Sequence, residues 1–185
     1  MFSMHIRQAT RVLRRGGVIA YPTEGVWGLG CDPFDPDAVA KVLALKQREV
    51  SKGLILIAAS IGQFDPYLQS LTGSQREQLN KSWPGPQTWV VPHGATLPDW
   101  ITGYKQTVAL RVSAHPIVAA LCRAFGGPII STSANPSGRA PARNSLQVRR
   151  YFPRQLDYIL PGELGGQVGP TPIRDLLSGR LLRAG

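Results

Sequence analysis

At 185 residues with 43% hydrophobic side chains, the chain is long enough to close one substantial core, which argues against disorder and for a single domain spanning residues 1–185. Its 21 basic against 11 acidic residues leave a formal charge of +10, which favours phosphate-rich partners such as nucleotides or RNA. The longest apolar runs, such as "LILIAA", stop well short of the roughly 20 residues that span a bilayer, and the opening "MFSMHIRQATRVLRRGG" has its charges after its apolar positions and no small-residue cleavage site. A cytoplasmic protein without a membrane segment is the expectation.

In chain order, residues 3–15 read as an amphipathic helix with Ile6, Ala9, Val12 and Leu13 inward, stopped at Gly16-Gly17. "VIAYPT" is an apolar strand ending at a proline, and "EGVWGLGCDPFDP" reads as a glycine-bearing loop. Asp35 and Pro36 make an N-cap and first-turn pair for a helix through Lys46. "GLILIAAS" has the unbroken apolar run of a strand buried on both faces. Ser74 to Glu77 fits a capping box opening the helix "SQREQLNKSW" before the "PGP" break. "QTWVVP" and "TVALRV" follow as strands, "HPIVAALCRAFG" as a helix and "PIISTS" as a strand. A short helix near "SLQVRRYF", a strand "DYILPG" and a closing pair around "TPIRDLL" and "GRLLRAG" complete the chain. Helices interleave with strands, yet tight strand-to-strand turns also occur. The pattern predicts an α/β fold with a mixed sheet and helices packed on it, rather than a purely parallel doubly wound sheet.

Cys31 and Cys122 match no metal or redox spacing and read as buried thiols, and His5, His93 and His115 are equally scattered. Four other segments carry chemistry. In "YPTEGVWGLG", Tyr21, Thr23 and Glu24 emerge at a strand end, while Gly25, Gly28 and Gly30 would let a ligand approach backbone amides; the order is neither the Rossmann fingerprint nor a Walker A loop. "LKQREVSKG" puts Lys46, Arg48 and Lys52 within seven residues, which suits either a triphosphate grip or complementation of a helix dipole. Arg111 sits inside the apolar strand "VALRV", where a guanidinium is costly to bury unless it reaches an internal acid or a bound anion. The hydroxyls of "STSANPSGRAPARN" suit caps or phosphate contacts. A nucleophilic serine is excluded there, because the stretch has no G-x-S-x-G elbow and no histidine nearby in sequence.

Taken together, "AYPTEGVWGLGCDP", "LKQR" followed by "KGLILIA", "WPGPQTWVVP", "VALRVSAHP", "STSANPSG" and "IRDLLSGRLLRAG" resemble, in order and over nearly the whole chain, the YrdC-like family of threonylcarbamoyl-AMP synthases in its short bacterial single-domain form. The resemblance implies a YrdC-like twisted mixed β-sheet flanked by helices, with a concave basic surface. It also implies an enzyme that makes threonylcarbamoyl-AMP and pyrophosphate from L-threonine, bicarbonate and ATP, with Mg²⁺ on the phosphates. Partner proteins then transfer the threonylcarbamoyl group to adenosine 37 of tRNA. The family's K-x-R and S-x-N signatures fall on Lys46, Arg48, Ser133 and Asn135 as ATP contacts, with Lys46 and Arg48 stabilising the leaving pyrophosphate. Lys52 joins that set and Arg143, on the following loop, is placed with it, while a part for Arg139 is left open. Thr23 and Arg111 are placed for threonine, Arg111 through its carboxylate, with Ser131 and Thr132 lining the same pocket. One departure is Glu49, which stands where the family usually has proline and is expected to loosen the loop and add a negative charge beside the phosphate grip. No metal ligand follows from the sequence. The rival reading is a non-catalytic protein that binds tRNA or double-stranded RNA. The charge supports it, but the interleaved aromatic pattern of an RNA-recognition motif is absent, and Arg149, Arg150 and Arg154 also fit a solvated helix face.

Overall fold

The computed structural model describes residues 2–94 and 97–185. Helix α1, Phe2–Leu13, turns Ile6, Ala9, Thr10 and Leu13 inward and unwinds before Gly16, whose φ of +74° is the left-handed exit glycine allows. Strand β1 (Ile19–Pro22) turns back into β2 (Trp27–Gly30) as an antiparallel pair. The sequence pattern predicts a loop for this second stretch, and the structure makes it a strand. The reason is visible at Tyr21, which is fully buried across the glycines of β2. A Cβ at Gly28 would lie 3.3 Å from Tyr21 Cζ, and one at Gly30 would lie 2.8 Å from Tyr21 Cε1 and 2.6 Å from Ile130 O. Gly30 therefore makes room for the neighbouring chain rather than for a ligand.

Asp35 caps α2 (Pro36–Lys46) as expected: its Oδ1 accepts from the backbone N–H groups of Asp37 and Ala38, both at 3.0 Å. A 3₁₀ turn at Val50–Lys52 leads into β3 (Ile55–Ala58), and a second at Ile61–Tyr67 leads to α3 (Gly73–Ser82). The capping box of α3 lies two residues earlier than the sequence suggested, with Thr72 and Gln75 exchanging the reciprocal bonds. Then follow β4 (Thr88–Pro92), the one-turn α4 (Asp99–Thr102), β5 (Thr107–Val112), α5 (Pro116–Phe125), β6 (Ile129–Ser133), α6 (Ser145–Tyr151), the short β7 (Tyr158–Ile159), and the closing pair β8 (Ile173–Asp175) and β9 (Leu181–Arg183).

Among the described residues the strands join in one sheet of order β7-β1-β2-β6-β3-β5-β4-β8-β9. It is mixed, as expected: β1/β7, β3/β5 and β4/β8 are parallel and the other neighbours antiparallel. β6 joins the two halves, because its first three residues pair with β3 while Thr132 and Ser133 pair with β2. Successive strand residues point to opposite faces. Leu56 and Ile130 accordingly enter a core with α2 residues Val39, Val42 and Leu43, whereas Ile57 and Ile129 enter a second core with Ile6, Ala9 and Leu13 of α1 and Val118, Leu121 and Cys122 of α5. Cys31 and Cys122 are both buried thiols. No helix among the described residues is long and apolar enough to cross a membrane.

Candidate active site

The α1–α5 pair covers only part of its sheet face. Ile57 and Arg111 are register partners, as are Ile55 with Ala109 and Ile55 with Ser131, so these side chains share that face. Beyond the helices, Ile55, Thr107, Ala109, Arg111 and Ser131 line a cavity of about 420 Å³, within the size range of small-molecule sites. Thr23, Gly25 and Gly28 close one side and Arg48, Lys52 and Gly53 another. Thr132 and Ser133 stand at the end of β6, and residues from β8, β9 and the segment before them complete the wall.

Most residues singled out in the sequence thus meet in one place: Thr23, Arg48, Lys52, Arg111, Ser131, Thr132 and Ser133 all face this cavity. Thr23 donates its hydroxyl proton to Val26 O at 2.7 Å, so toward the cavity its oxygen is an acceptor. Arg48 folds over its own turn, donating to Gly53 O from Nη2 (2.9 Å) and to Lys52 O from Nη2 (3.3 Å), which stiffens the loop that carries Lys52. Arg111 is buried and meets one of the two partners that the sequence allows, an internal acid: its Nη1 lies 3.2 Å from Glu24 Oε2.

Lys46 lies behind the wall. It is 5% exposed, and its ammonium donates to Ser133 O, to Asn135 O at 2.9 Å and, more weakly, to Asn135 Oδ1 at 3.4 Å. Burial, reinforced by the neighbouring charge of Arg48, pushes the Lys46 pKa down to about 8. Asn135 is similarly engaged: its Oδ1 accepts from Ser133 Oγ at 2.6 Å, and its Nδ2 donates to Pro136 O (3.1 Å) and Arg139 O (2.7 Å). Lys46 and Asn135 therefore build the turn that presents Ser133. Arg143 is exposed outside the cavity wall, where its N–H donates to Gln147 Oε1 at the start of α6. Arg139 rests its guanidinium over the Tyr151 ring, 5.9 Å from the centroid.

Sequence reasoning missed three cations on the wall, Lys105, Arg180 and Arg183, and its one carboxylate, Asp175. Arg180, Arg183 and Asp175 lie in the tail segment "IRDLLSGRLLRAG", and only the β4/β8 pairing, across more than eighty residues of chain, brings that tail to the site. Arg183 donates to Thr171 O at 2.7 Å, and partial burial, followed by the charges of Arg111 and Arg48, lowers its pKa. Residues 165–171 form a strap across the Thr23–Gly25 corner. Gly165 N–H donates to Thr23 O and Gln167 N–H to Glu24 O, both at 3.0 Å. A Cβ on Gly25 would lie 1.9 Å from Gly169 O, so no larger residue fits beneath the strap.

Six cationic side chains, Arg48, Lys52, Lys105, Arg111, Arg180 and Arg183, thus surround one cavity beside a single wall carboxylate. Mutually repelling charges at that density are relieved by a polyanionic ligand. Among the described residues no cluster of three His, Cys, Asp or Glu side chains could hold a metal ion.

Comparison with known proteins adds the kinship. The family model Sua5_yciO_yrdC, which carries the description "Telomere recombination", matches residues 11–185. The chain is 57% identical over 178 residues to the threonylcarbamoyl-AMP synthase of Cellvibrio japonicus, covering 96% of this chain and 94% of the relative. It is also 57% identical over 178 residues to that of Stutzerimonas stutzeri, covering 96% of each. Among solved structures, P. abyssi Sua5 complexed with L-threonine superposes with a TM-score of 0.89 at 32% identity over 96% of this chain, which spans about half (53%) of the length of that protein. E. coli YciO superposes with a TM-score of 0.84 at 26% identity, covering 97% of this chain and 88% of that one. With the fold, the ordered motifs and the relatives in agreement, the chain belongs to the Sua5/YciO/YrdC family.

Proposed function

We propose that this chain is a threonylcarbamoyl-AMP synthase, condensing L-threonine, bicarbonate and ATP to threonylcarbamoyl-AMP, pyrophosphate and water. The observation that carries the reading is the single cavity in which a buried arginine, Arg111, and a ring of further cations face the same space as Thr23 and the β6 hydroxyls. The relatives named for this activity match along nearly their full length. They do not favour the rival reading of a non-catalytic RNA-binding protein.

The chemistry asks for positioning and charge rather than a protein nucleophile. Arg111 takes the threonine carboxylate, and Thr23 Oγ1, its own proton given to Val26 O, accepts from the threonine amine or hydroxyl. The deprotonated amine attacks bicarbonate with loss of water, or carbon dioxide with loss of a proton from nitrogen, to give the carbamate. A carbamate oxygen then attacks the α-phosphorus, and the bond from that phosphorus to the α,β-bridging oxygen breaks, releasing the β- and γ-phosphates as pyrophosphate. Arg48, Lys52 and Arg183 stabilise the charge that develops on that leaving group. Lys46 and Asn135 hold Ser133 in place beside the nucleotide. A Mg²⁺ carried in on the triphosphate would take most of its ligands from phosphate and water oxygens, and Asp175, whose Oδ1 also accepts from Ser178 N–H (2.7 Å) and Oγ (2.8 Å), would be the wall carboxylate available to it. When bound, the ion would neutralise β- and γ-phosphate charge. Arg143 and Arg139 take no part in this reading. A cytoplasmic setting, with other proteins passing the threonylcarbamoyl group on to adenosine 37 of tRNA, follows from the same assignment.

The test is to incubate the purified chain with ATP, Mg²⁺, L-threonine and bicarbonate and to identify the adenylated product by mass. Pyrophosphate and threonylcarbamoyl-AMP should appear together. ADP formation, or turnover without threonine, would sink the assignment. Arg48→Ala should cut turnover by tens to hundreds of fold, the effect of losing about 2–4 kcal/mol of transition-state stabilisation.

A further inference from the structure

We propose that Glu24 is a positioning residue that sets the affinity for threonine through Arg111. The proposal rests on the reading of Arg111 as the contact for the threonine carboxylate.

Glu24 is 7% exposed and is not part of the cavity wall, so it does not meet a substrate itself. Its two carboxylate oxygens are divided between two partners. Oε1 accepts from Ser113 Oγ at 2.7 Å, and Oε2 faces Arg111 Nη1 at 3.2 Å as an ion pair without hydrogen-bond alignment. Ser113 Oγ in turn accepts from His115 N–H at 3.1 Å, and His115 Nε2 donates to Glu163 O at 3.0 Å. Ser113 and Arg111 are two residues apart on one face of the chain leaving β5, and the glutamate spans the interval between them.

An arginine side chain has many rotamers, and a guanidinium that must be ordered at the moment of binding weakens the complex by the entropy lost. Glu24 removes that cost in advance: it holds one edge of the guanidinium from behind while Arg111 remains on the cavity wall. It also makes burial of the cation tolerable before any substrate arrives. A carboxylate one methylene shorter could not reach both Ser113 and Arg111. The backbone of the same corner anchors the strap, through Thr23 O to Gly165 N–H and Glu24 O to Gln167 N–H, so Glu24 is fixed at both ends.

A mere counter-ion and a positioning residue predict opposite signs. If Glu24 only neutralised Arg111, Glu24→Gln would leave the arginine short of negative charge and threonine would bind more tightly. If it positions Arg111, both Glu24→Gln, which keeps the length but loses the charge, and Glu24→Asp, which keeps the charge but loses the reach, raise the KM for threonine. The expected rise is about tenfold, with the KM for ATP and kcat within about twofold, and calorimetric threonine affinity falling in step. An unchanged or lower threonine KM would overturn the proposal. So would a parallel loss in both substrates that tracks a fall in Tm, the mark of a general structural defect. Should the Glu24 variants fail to fold, Ser113→Ala removes only the hydroxyl that holds Oε1 and should raise threonine KM by about threefold with ATP unaffected; no selective change there also overturns it. Wild-type turnover is measured first: an absence of threonine dependence there refutes the functional reading itself, whereas a threonine-dependent wild type with unaltered variants refutes only the role of Glu24.

Discussion

Glu49 takes the place that proline usually holds after K-x-R, and its backbone already has the shape of a proline, with φ −67° and ψ 141°. Its carboxylate is exposed, accepts from Ser51 Oγ at 3.4 Å and stays off the cavity wall. The backbone shape that a proline would fix is thus kept, and the extra negative charge stands beside Arg48 but off the cavity wall. Glu49→Pro should raise stability by about 0.4–1 kcal/mol, chiefly by restricting the unfolded chain, with activity retained; a denaturant titration checks it. Lys46 makes the second prediction at this scale. With its pKa lowered to about 8 in the ligand-free protein, the ammonium is intact below that pH and is lost as pH rises through it. Because the charged ammonium holds the Ser133–Asn135 turn beside the nucleotide, log Kd for ATP should be level just below pH 8 and climb toward one unit per pH unit above it, and a Kd that stays level through pH 9 would contradict that role. Titrations without threonine keep the substrate amine out of the comparison. Individual residue types were legible in the sequence, since Arg111 required an internal acid or an anion and Asp35 required a helix. Partner identity was not: nothing in the chain order says that Glu24 and Ser113 meet, or that Lys46 spends its protons on Ser133 and Asn135 carbonyls.

Strand β2 was the element hardest to read, because three glycines within six residues look like a turn, and only the buried ring of Tyr21 explains two of them. The third, Gly25, is accounted for by the strap. Gly30→Ala would drive a Cβ to within 2.6 Å of Ile130 O, a backbone atom that cannot step aside, and should cost about 1–3 kcal/mol by chemical denaturation. Asp35→Ala should cost about 1 kcal/mol through loss of its two cap bonds, and Asp35→Asn much less. The contrast between these elements shows what sequence carries. Helix ends are local, so α2 and α5 were legible almost to the residue, whereas a strand defined by its neighbour's ring was not.

At the scale of the molecule, the mixed sheet followed from seeing both crossover helices and tight turns, but its order did not. That order matters for function: β6 bridges the two halves so that the Ser131–Ser133 end stands between β2 and β3, and the β4/β8 pairing brings Arg183 and Asp175 to the same cavity. Such long-range pairings leave no periodic trace in the chain, which is why the tail's cations went unrecognised while Lys46, Arg48 and Lys52, close in sequence, stood out. The cavity joins a cationic rim suited to phosphates with a buried arginine suited to a carboxylate. The most direct test supplies carbon-labelled bicarbonate and measures, in one reaction, label in the adenylated product and pyrophosphate released. The two should appear in equal molar amounts, and neither should appear when threonine is omitted. Pyrophosphate released without label, or label and pyrophosphate that persist without threonine, would contradict the assignment.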